Sequence, residues 1–210
     1  EKSVPGNNPV RITSMPEYEE LFGGPPNEKF DITVTDTTNS AGVTKRSLSA
    51  VISTNGNDIP SKYLMYYSMQ LFFANGGGAC YIVSAGNYTS ETIGKQALAD
   101  GLVKLEKEDE PTLLVFPDAT GLADAADFYE LHGSALSQCG TLQDRFALID
   151  VYGESTENLR NSLASDYLKY GAAYFPFLQT TLNYRYKDEG VTITHTLNGK
   201  AGSYEYRACV

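Results

Sequence analysis

Two aspartates have the residue type and the spacing that could support chemistry. Asp118 and Asp150 each stand at the end of an apolar run. If both runs are parallel strands, the two carboxylates lie at the carboxyl edge of one sheet, where α/β proteins bind ligands. Two carboxylates there could hold Mg²⁺ for phosphoryl chemistry. An enzyme of this kind is one possible function for the chain.

The surroundings of the two aspartates favour a structural interpretation instead. No lysine, glycine cradle or third acid accompanies them at a useful spacing. Asp118 follows Pro117 and is suited to initiating the next helix. Asp150 is expected to accept hydrogen bonds from loop amides. The sequence therefore assigns no catalytic, cofactor-binding or metal-binding residue.

The two histidines add little to a catalytic interpretation. His195 is in phase with Val191 and Ile193, which predicts a partly buried strand residue. His132 precedes Gly133 on a predicted helix and has no cysteine or acidic motif around it. A Ser-His-Asp set stays open because triad members are distant in sequence, although no G-x-S-x-G elbow is present.

The run Gly76–Gly78 is the richest glycine motif, and its position argues against a nucleotide site. A phosphate-binding loop runs strand, glycines, helix, so that free N–H groups face the anion. Here the glycines follow an apolar helical stretch at about 61–75 and precede an apolar run. They predict a left-handed helix C-cap and a tight reversal into a strand.

Composition limits the possible partners. The net charge is −10 and the pI is near 4.6, which disfavours sequence-independent binding to nucleic acid or anionic lipid. No apolar run approaches the roughly 20 residues that span a bilayer. The cysteines Cys80, Cys139 and Cys209 are odd in number and share no metal-ligand spacing, so buried thiols in a reducing compartment are expected.

Four apolar runs define the predicted core, and they cover residues 80–85, 112–116, 146–151 and 172–178. Their starts are roughly 26 to 34 residues apart, the size of a strand-helix-strand unit. The runs are continuously apolar, as in strands covered on both faces. Between them, apolar residues recur at helical spacing. The predicted fold class is α/β, with a mainly parallel sheet flanked by helices.

Two flanking segments alternate between apolar and polar residues. The first predicts an antiparallel hairpin insertion at about 29–54. The second predicts a C-terminal antiparallel meander at 182–210, with turns at 187–190 and 198–199 and an edge strand open to another chain. The predicted domains are an α/β core over 1–181, containing the hairpin, and a decoration or the start of a further domain over 182–210.

Several segments occur in one order along residues 9–182. They are PVRITS (9–14) with YEELFGG (18–24), LFFANGGGACYIV (71–83), LEKEDEPTLLVFPD (105–118), QC (138–139) with DRFALIDV (144–151), and LKYGAAYFPFL (168–178). Together they resemble the sheath proteins of contractile phage tails and related contractile injection systems. Each segment alone is weak, whereas five in the right order are fairly specific.

The resemblance implies a structural protein that needs no cofactor. Sheath subunits polymerise around an inner tube and contract to drive the tube through a target envelope. Their terminal arms add strands to neighbouring subunits. The implied partners are other sheath subunits, the inner tube protein, and baseplate and terminator proteins, with no nucleic acid and no direct membrane insertion. The implied locations are the bacterial cytoplasm during assembly and then the virion tail or a released injection particle.

The chain departs from the sheath pattern at its ends. Both arms and most of the C-terminal domain of that family are expected to be missing, and residues 182–210 are expected to decorate the outside of the sheath. Two alternatives stay open. One is the Mg²⁺-dependent α/β enzyme using Asp118 and Asp150, and the other is an unrelated interaction module that binds through β-edges.

Overall fold

The computed structural model describes residues 8–52, 62–88, 92–163 and 166–205, the last five by their backbone alone. Within these ranges the chain forms five α-helices and nine strands in three sheets, which confirms the predicted α/β class. The chain divides into two compact units. Unit 1 comprises residues 1–24 and 62–181, and unit 2 comprises residues 25–61 and 182–210.

The elements in chain order are β1 (Val10–Ile12), α1 (Met15–Phe22), β2 (Glu28–Thr38), β3 (Thr44–Ile52), α2 (Met65–Ala74), β4 (Cys80–Ile82), α3 (Lys95–Leu105), β5 (Leu113–Leu114), α4 (Ala125–Leu142), β6 (Phe146–Asp150), α5 (Thr156–Ser162), β7 (Gly171–Tyr174), β8 (Tyr186–Leu197) and β9 (Lys200–Glu205). Short 3₁₀ turns at Pro117–Gly121, Tyr152–Glu154 and Leu168–Tyr170 connect the elements of unit 1.

The centre of unit 1 is a parallel sheet in the order β5-β6-β7. One face of β6, carrying Ala147 and Ile149, belongs to the same buried cluster as Phe128 and Leu136 of α4. The sequence predicted strands covered on both faces, and this is wrong for the edge strands. Side chains of β5 and β7 on the other face are exposed, as at Leu113 and Tyr174.

The first predicted core strand lies elsewhere. The run at 80–85 contains β4, which pairs antiparallel with β1, with Val10 opposite Ile82. It therefore forms a separate two-stranded sheet and does not join the parallel one. Local hydrophobicity indicates a buried strand, but it carries no information about which distant strand supplies the hydrogen bonds.

The glycine run closes α2 as predicted. Gly76 has φ of +84°, and its N–H donates to the carbonyl of Phe73. The N–H of Gly77 donates to the carbonyl of Phe72, which completes a Schellman motif. A Cβ on Gly77 would lie 2.5 Å from the Phe72 ring, so a larger residue there would require that ring to move. The run satisfies helix carbonyls and offers no amide cradle.

Unit 2 is a four-stranded sheet in the order β3-β2-β8-β9. The β2–β3 hairpin is antiparallel as predicted, with Ile32 opposite Ala50. However, β2 also pairs in parallel with β8, with Ile32 opposite Ile193. The hairpin is thus part of the same unit as the C-terminal strands, whereas the sequence interpretation placed it in the core over 1–181.

The predicted reversal at 187–190 is wrong. Residues 186–197 form one strand, β8, in which the pairing passes from Glu28–Tyr186 to Phe30–Val191. Four residues of β8 therefore bulge opposite a single residue of β2, which lengthens the strand locally without changing its direction. The second predicted turn, at Asn198–Gly199, does reverse the chain into β9, and both residues have positive φ.

Candidate functional site

Asp118 is used to cap a helix. Its Oδ1 accepts hydrogen bonds from the backbone N–H groups of Leu64, at 2.6 Å, and Met65, at 2.8 Å. Leu64 is the N-cap residue of α2 and its own side chain cannot accept a bond, so a carboxylate 54 residues away supplies the cap. Asp118 was expected to help initiate the helix that follows it. It lies in the first turn of the 3₁₀ helix Pro117–Gly121, but its carboxylate caps the earlier helix α2.

The helix cap lies beside a cluster of tyrosines. Burial is the main cause that raises the pKa of Asp118, and the two amide bonds oppose that rise. Tyr18 and Tyr88 share a hydrogen bond, and burial raises the pKa of Tyr88 to about 12 and that of Tyr18 further. The Tyr66 hydroxyl donates to Glu19 at 2.5 Å. Because their pKa values are raised, Tyr18 and Tyr88 are protonated at neutral pH and supply no nucleophile.

Asp150 stands at the end of β6, where the sequence placed it. The carboxylate is half-buried, and burial raises its pKa. The expected hydrogen bonds to loop amides are absent within the described ranges. Over the same ranges, no group of three histidine, cysteine, aspartate or glutamate side chains is arranged to hold a metal ion. Asp150 therefore has no visible chemical partner here.

His132 is a core residue of α4. Its side chain is 2% exposed and lies against the rings of Phe128 and Phe116, with centroids 4.2 and 5.5 Å away. Its Nδ1 is 2.9 Å from the carbonyl oxygen of Phe128, which fixes Nδ1 as the protonated nitrogen. Burial lowers the pKa of His132 to about 4, so the ring is neutral and packs as an aromatic residue.

His195 belongs to an ionic cluster of unit 2. As predicted, it lies in β8 in phase with Val191 and Ile193, and its Nε2 is 2.8 Å from Oδ2 of Asp36. Arg46 donates two hydrogen bonds to the same carboxylate, both at 2.8 Å. Asp36 thereby joins β2, β3 and β8. Its bonds to Arg46 and then to His195 hold the pKa of Asp36 well below its usual range.

Two of the three cysteines can be placed. Cys139 is fully buried in α4, Cys80 is half-buried in β4, and both are free thiols. Burial raises the pKa of each thiol, which makes the reactive thiolate scarce at neutral pH. Cys209 lies outside the described residues. The expectation of buried thiols is thus confirmed at Cys139 and met in part at Cys80.

An apolar cavity of unit 1 is lined by residues of α4, α5, β6 and β7. Its volume is about 370 Å³, and it is lined by Leu136, Ile149, Leu159, Arg160, Leu163, Leu168, Gly171 and Ala173. Arg160 is the one charged group in this lining. The described lining contains no acid, base or nucleophile, so it is suited to binding an apolar group.

A second feature follows directly from β7, and we call residues Tyr174–Leu178 the apolar pin. Its exposed fractions are 60% for Tyr174, 51% for Phe175, 41% for Phe177 and 81% for Leu178. The sequence interpretation treated this run as a buried strand and missed both the pin and the cavity. One signal was available, since residues 174–181 contain no charged side chain.

Comparison with known proteins gives no assignment: no protein-family model matches the chain, and no curated protein matches it. In the part of the chain that the structure describes, no helix combines the length and apolarity needed to cross a membrane. The fold and the site therefore define a class, a two-unit α/β protein in which Asp118 caps a helix and Asp36 joins three strands.

Proposed function

We propose that this chain is a structural subunit of a contractile tail sheath. In this function, subunits polymerise around an inner tube and contract to drive the tube through a target envelope. The partners are other sheath subunits, the inner tube protein, and baseplate and terminator proteins. The subunit works in the bacterial cytoplasm during assembly and then in a virion tail or a released injection particle.

The observation that carries the proposal is where the sheath-like segments lie. All of them, from 9–14 to 168–178, fall inside unit 1, which spans 1–24 and 62–181. Unit 2 is assembled from 25–61 and 182–210 and contains none of them. A resemblance confined to one compact unit is expected if unit 1 is a domain shared with sheath proteins. Unit 2 would then be an additional domain inserted into and appended to it.

The use of the buried polar groups is consistent with mechanical work. Asp118 caps α2, and Asp36 joins three strands. The buried guanidinium of Arg145 donates to the carbonyl oxygens of Leu105, the last residue of α3, and of Glu108 in the loop that follows. Groups used in this way make each unit rigid. A lattice that switches between two packings needs rigid units, because contraction shifts a population between arrangements of the same bodies.

The contacts of Asp118 give little support to the alternative function, the Mg²⁺-dependent enzyme. Its proposed ligand Asp118 has one oxygen occupied by two amide donors, and those bonds account for its burial without a ligand. Titration with Mg²⁺ or Mn²⁺ separates the two functions. Tight metal binding that disappears in Asp118→Asn would favour the enzyme and count against the structural subunit.

Electron microscopy of the native gene product tests the proposal. Antibodies raised against unit 2 are used to isolate and mark the particles from the source organism. Hollow cylinders in a long and a short form, decorated along their length, are the expected result. Discrete globular complexes that bind the antibody at a few points would overturn it.

A further inference from the structure

The apolar cavity of unit 1 has the size of a small-molecule site. Its volume of about 370 Å³ lies near the lower end of the roughly 300–1,000 Å³ that ligand pockets occupy. Leu136 and Ile149 in its lining are buried core residues, whereas Leu168 is 55% exposed and Ala173 is also exposed. The lining therefore leads from the surface to the core, so an apolar group can enter from solvent and pack there.

Arg160 is the one charged residue of this lining, and its contacts differ from those of other arginines. Arg11, Arg46 and Arg145 each pair with a carboxylate. Arg160 is exposed on α5 and, among the residues that the structure describes, makes no ion pair or hydrogen bond. Its guanidinium donors are therefore available to a ligand that occupies the aliphatic part of the cavity.

From the composition of this lining we propose that the cavity binds a small aliphatic carboxylate. The aliphatic tail packs against the leucine, isoleucine and alanine side chains, and the carboxylate head accepts hydrogen bonds from Arg160. Charge complementarity is the reason for choosing this ligand, because a guanidinium binds a carboxylate through two parallel hydrogen bonds. A single guanidinium also matches a head group with one negative charge.

The negative net charge of the chain is compatible with an anionic ligand at this position. No acidic residue is among those that line the cavity. Charges further away than the Debye length, roughly 8–10 Å, are largely screened at physiological salt. The local arginine therefore has more influence on a bound head group than the total charge of −10.

The size of the cavity favours a small molecule over a protein partner. A protein interface of standard size needs roughly 800 Å² from each partner, whereas this volume is suited to one aliphatic chain of medium length. The site lies within one copy of the chain and requires neither assembly nor an inner tube. It therefore goes beyond the proposed sheath function and does not depend on it.

Calorimetric titration of the purified chain with decanoate, below the concentration at which decanoate forms micelles, tests the site. Saturable binding of one decanoate per chain is expected. Octanoate should bind about fifteenfold more weakly, because each buried methylene contributes about fourfold to affinity. Decanol has the same tail without the charge and should bind about fivefold more weakly than decanoate, which is the contribution of an exposed ion pair.

Variants of Arg160 separate the head group from the tail. Arg160→Gln should bind decanoate about fivefold more weakly and leave the affinity for decanol unchanged. Arg160→Lys keeps the charge and should retain part of the preference for decanoate. Lys104→Gln is the matched control, because it removes one positive charge from an exposed position on α3 outside the cavity.

Variants of the aliphatic lining test the position of the tail. Ala173→Phe fills the cavity and should abolish the binding of both decanoate and decanol. Leu168→Ser is a second lining variant at a position that is 55% exposed, so it is expected to fold and to weaken the binding of both ligands.

Several results would overturn the proposal. They are a wild-type chain without saturable decanoate binding, equal affinities of the wild type for decanoate and decanol, an Ala173→Phe variant that binds like the wild type, and equal losses in Arg160→Gln and Lys104→Gln. The sheath function is tested separately. Hollow native cylinders combined with a chain that does not bind decanoate would remove the ligand site alone, and decanoate binding combined with globular native particles would remove the sheath function alone.

Discussion

Unit 1 and unit 2 are stabilised by different means. In unit 1 a cluster of buried residues, including Phe128, Leu136 and Cys139, joins three helices to the parallel sheet. In unit 2 the strand β3 is exposed along most of its length, and β2 is paired on both sides. Its buried side chains include Val191 and Ile193 but also the charged residues Glu28 and Asp36.

The difference shows where each unit is vulnerable. Apolar burial dominates unit 1, so removing volume from its core should be costly at any pH. Unit 2 relies more on backbone pairing and on a carboxylate shared between strands, so it should respond to charge and to pH. The sequence signals differ in the same way: helical periodicity marks unit 1, and alternation marks unit 2.

Removing volume from the unit 1 core should give the largest effect. Phe128 is 0% exposed and contacts the rings of Tyr129, His132 and Tyr152. Phe128→Ala should lower the free energy of unfolding of unit 1 by about 3–5 kcal/mol, measured by urea denaturation. The surface control Val103→Ala should change it by less than about 0.5 kcal/mol. Equal effects of the two changes would contradict the proposed core.

The neutral His132 should make unit 1 sensitive to acid. Its pKa is lowered from the usual 6.5 to about 4 by burial, so the unfolded state binds more protons between these values. Stability should therefore fall as the pH drops from about 6.5 towards 4, by up to about 3 kcal/mol. His132→Leu keeps an apolar side chain and removes the titration. If the variant's free energy of unfolding falls with pH as steeply as that of the wild type over this range, His132 is not the cause of the acid sensitivity.

The cap supplied by Asp118 should have a smaller effect. Asp118→Ala leaves the N–H groups of Leu64 and Met65 without their acceptor and should cost about 1–2 kcal/mol, measured by thermal unfolding. Asp118→Asn keeps an acceptor oxygen and should cost less. An Asn variant as damaging as the Ala variant would mean that charge, and not hydrogen bonding, stabilises α2.

The pH response of Asp118 has the opposite sign to that of His132. Because burial raises the pKa of Asp118 in the folded state, its contribution is present at low pH and is lost as the pH rises through that raised pKa. Removing the group in Asp118→Asn should flatten this part of the stability profile. Stability measured against pH for Asp118→Asn and for His132→Leu should therefore differ from the wild type in opposite directions.

The ionic cluster of unit 2 should give the most local effect. The pKa of Asp36 is held below its usual value, so the stability it contributes is present above the ordinary aspartate pKa, near 3.8, and is lost as the pH falls further. Below about pH 4, where the titration of His132 is nearly complete, hydrogen exchange should therefore show further opening of β2 and β8 without a matching change in β6. Arg46→Lys, which cannot make the bidentate contact, should shift that opening towards neutral pH. Uniform opening of both units would contradict their separate stabilisation.

Local signals in the sequence predicted much of this fold. Apolar spacing placed α3 and α4, the glycine run predicted the end of α2, and alternation predicted the β2–β3 hairpin. Each of these depends on interactions within a few residues, where residue type is informative. The same reasoning placed His195 in a strand.

Those local signals could not predict which distant segments pair with each other. Nothing in the run at 80–85 identifies β1 as its partner, and nothing near Asp118 shows that α2 needs a cap. The bulge at 187–190 has the composition of a turn, but pairing with β2 keeps the chain extended. The apolar residues of the pin resemble those of a buried strand, and only their surroundings make them exposed.

Helical reconstruction of the native particles by electron cryomicroscopy tests the central claim most directly. The account predicts that unit 1, with α4 packed on the sheet β5-β6-β7, fits as one unchanged body into the wall of both the long and the short cylinder. Particles without a hollow wall, or a wall whose repeating density cannot contain unit 1, would contradict it.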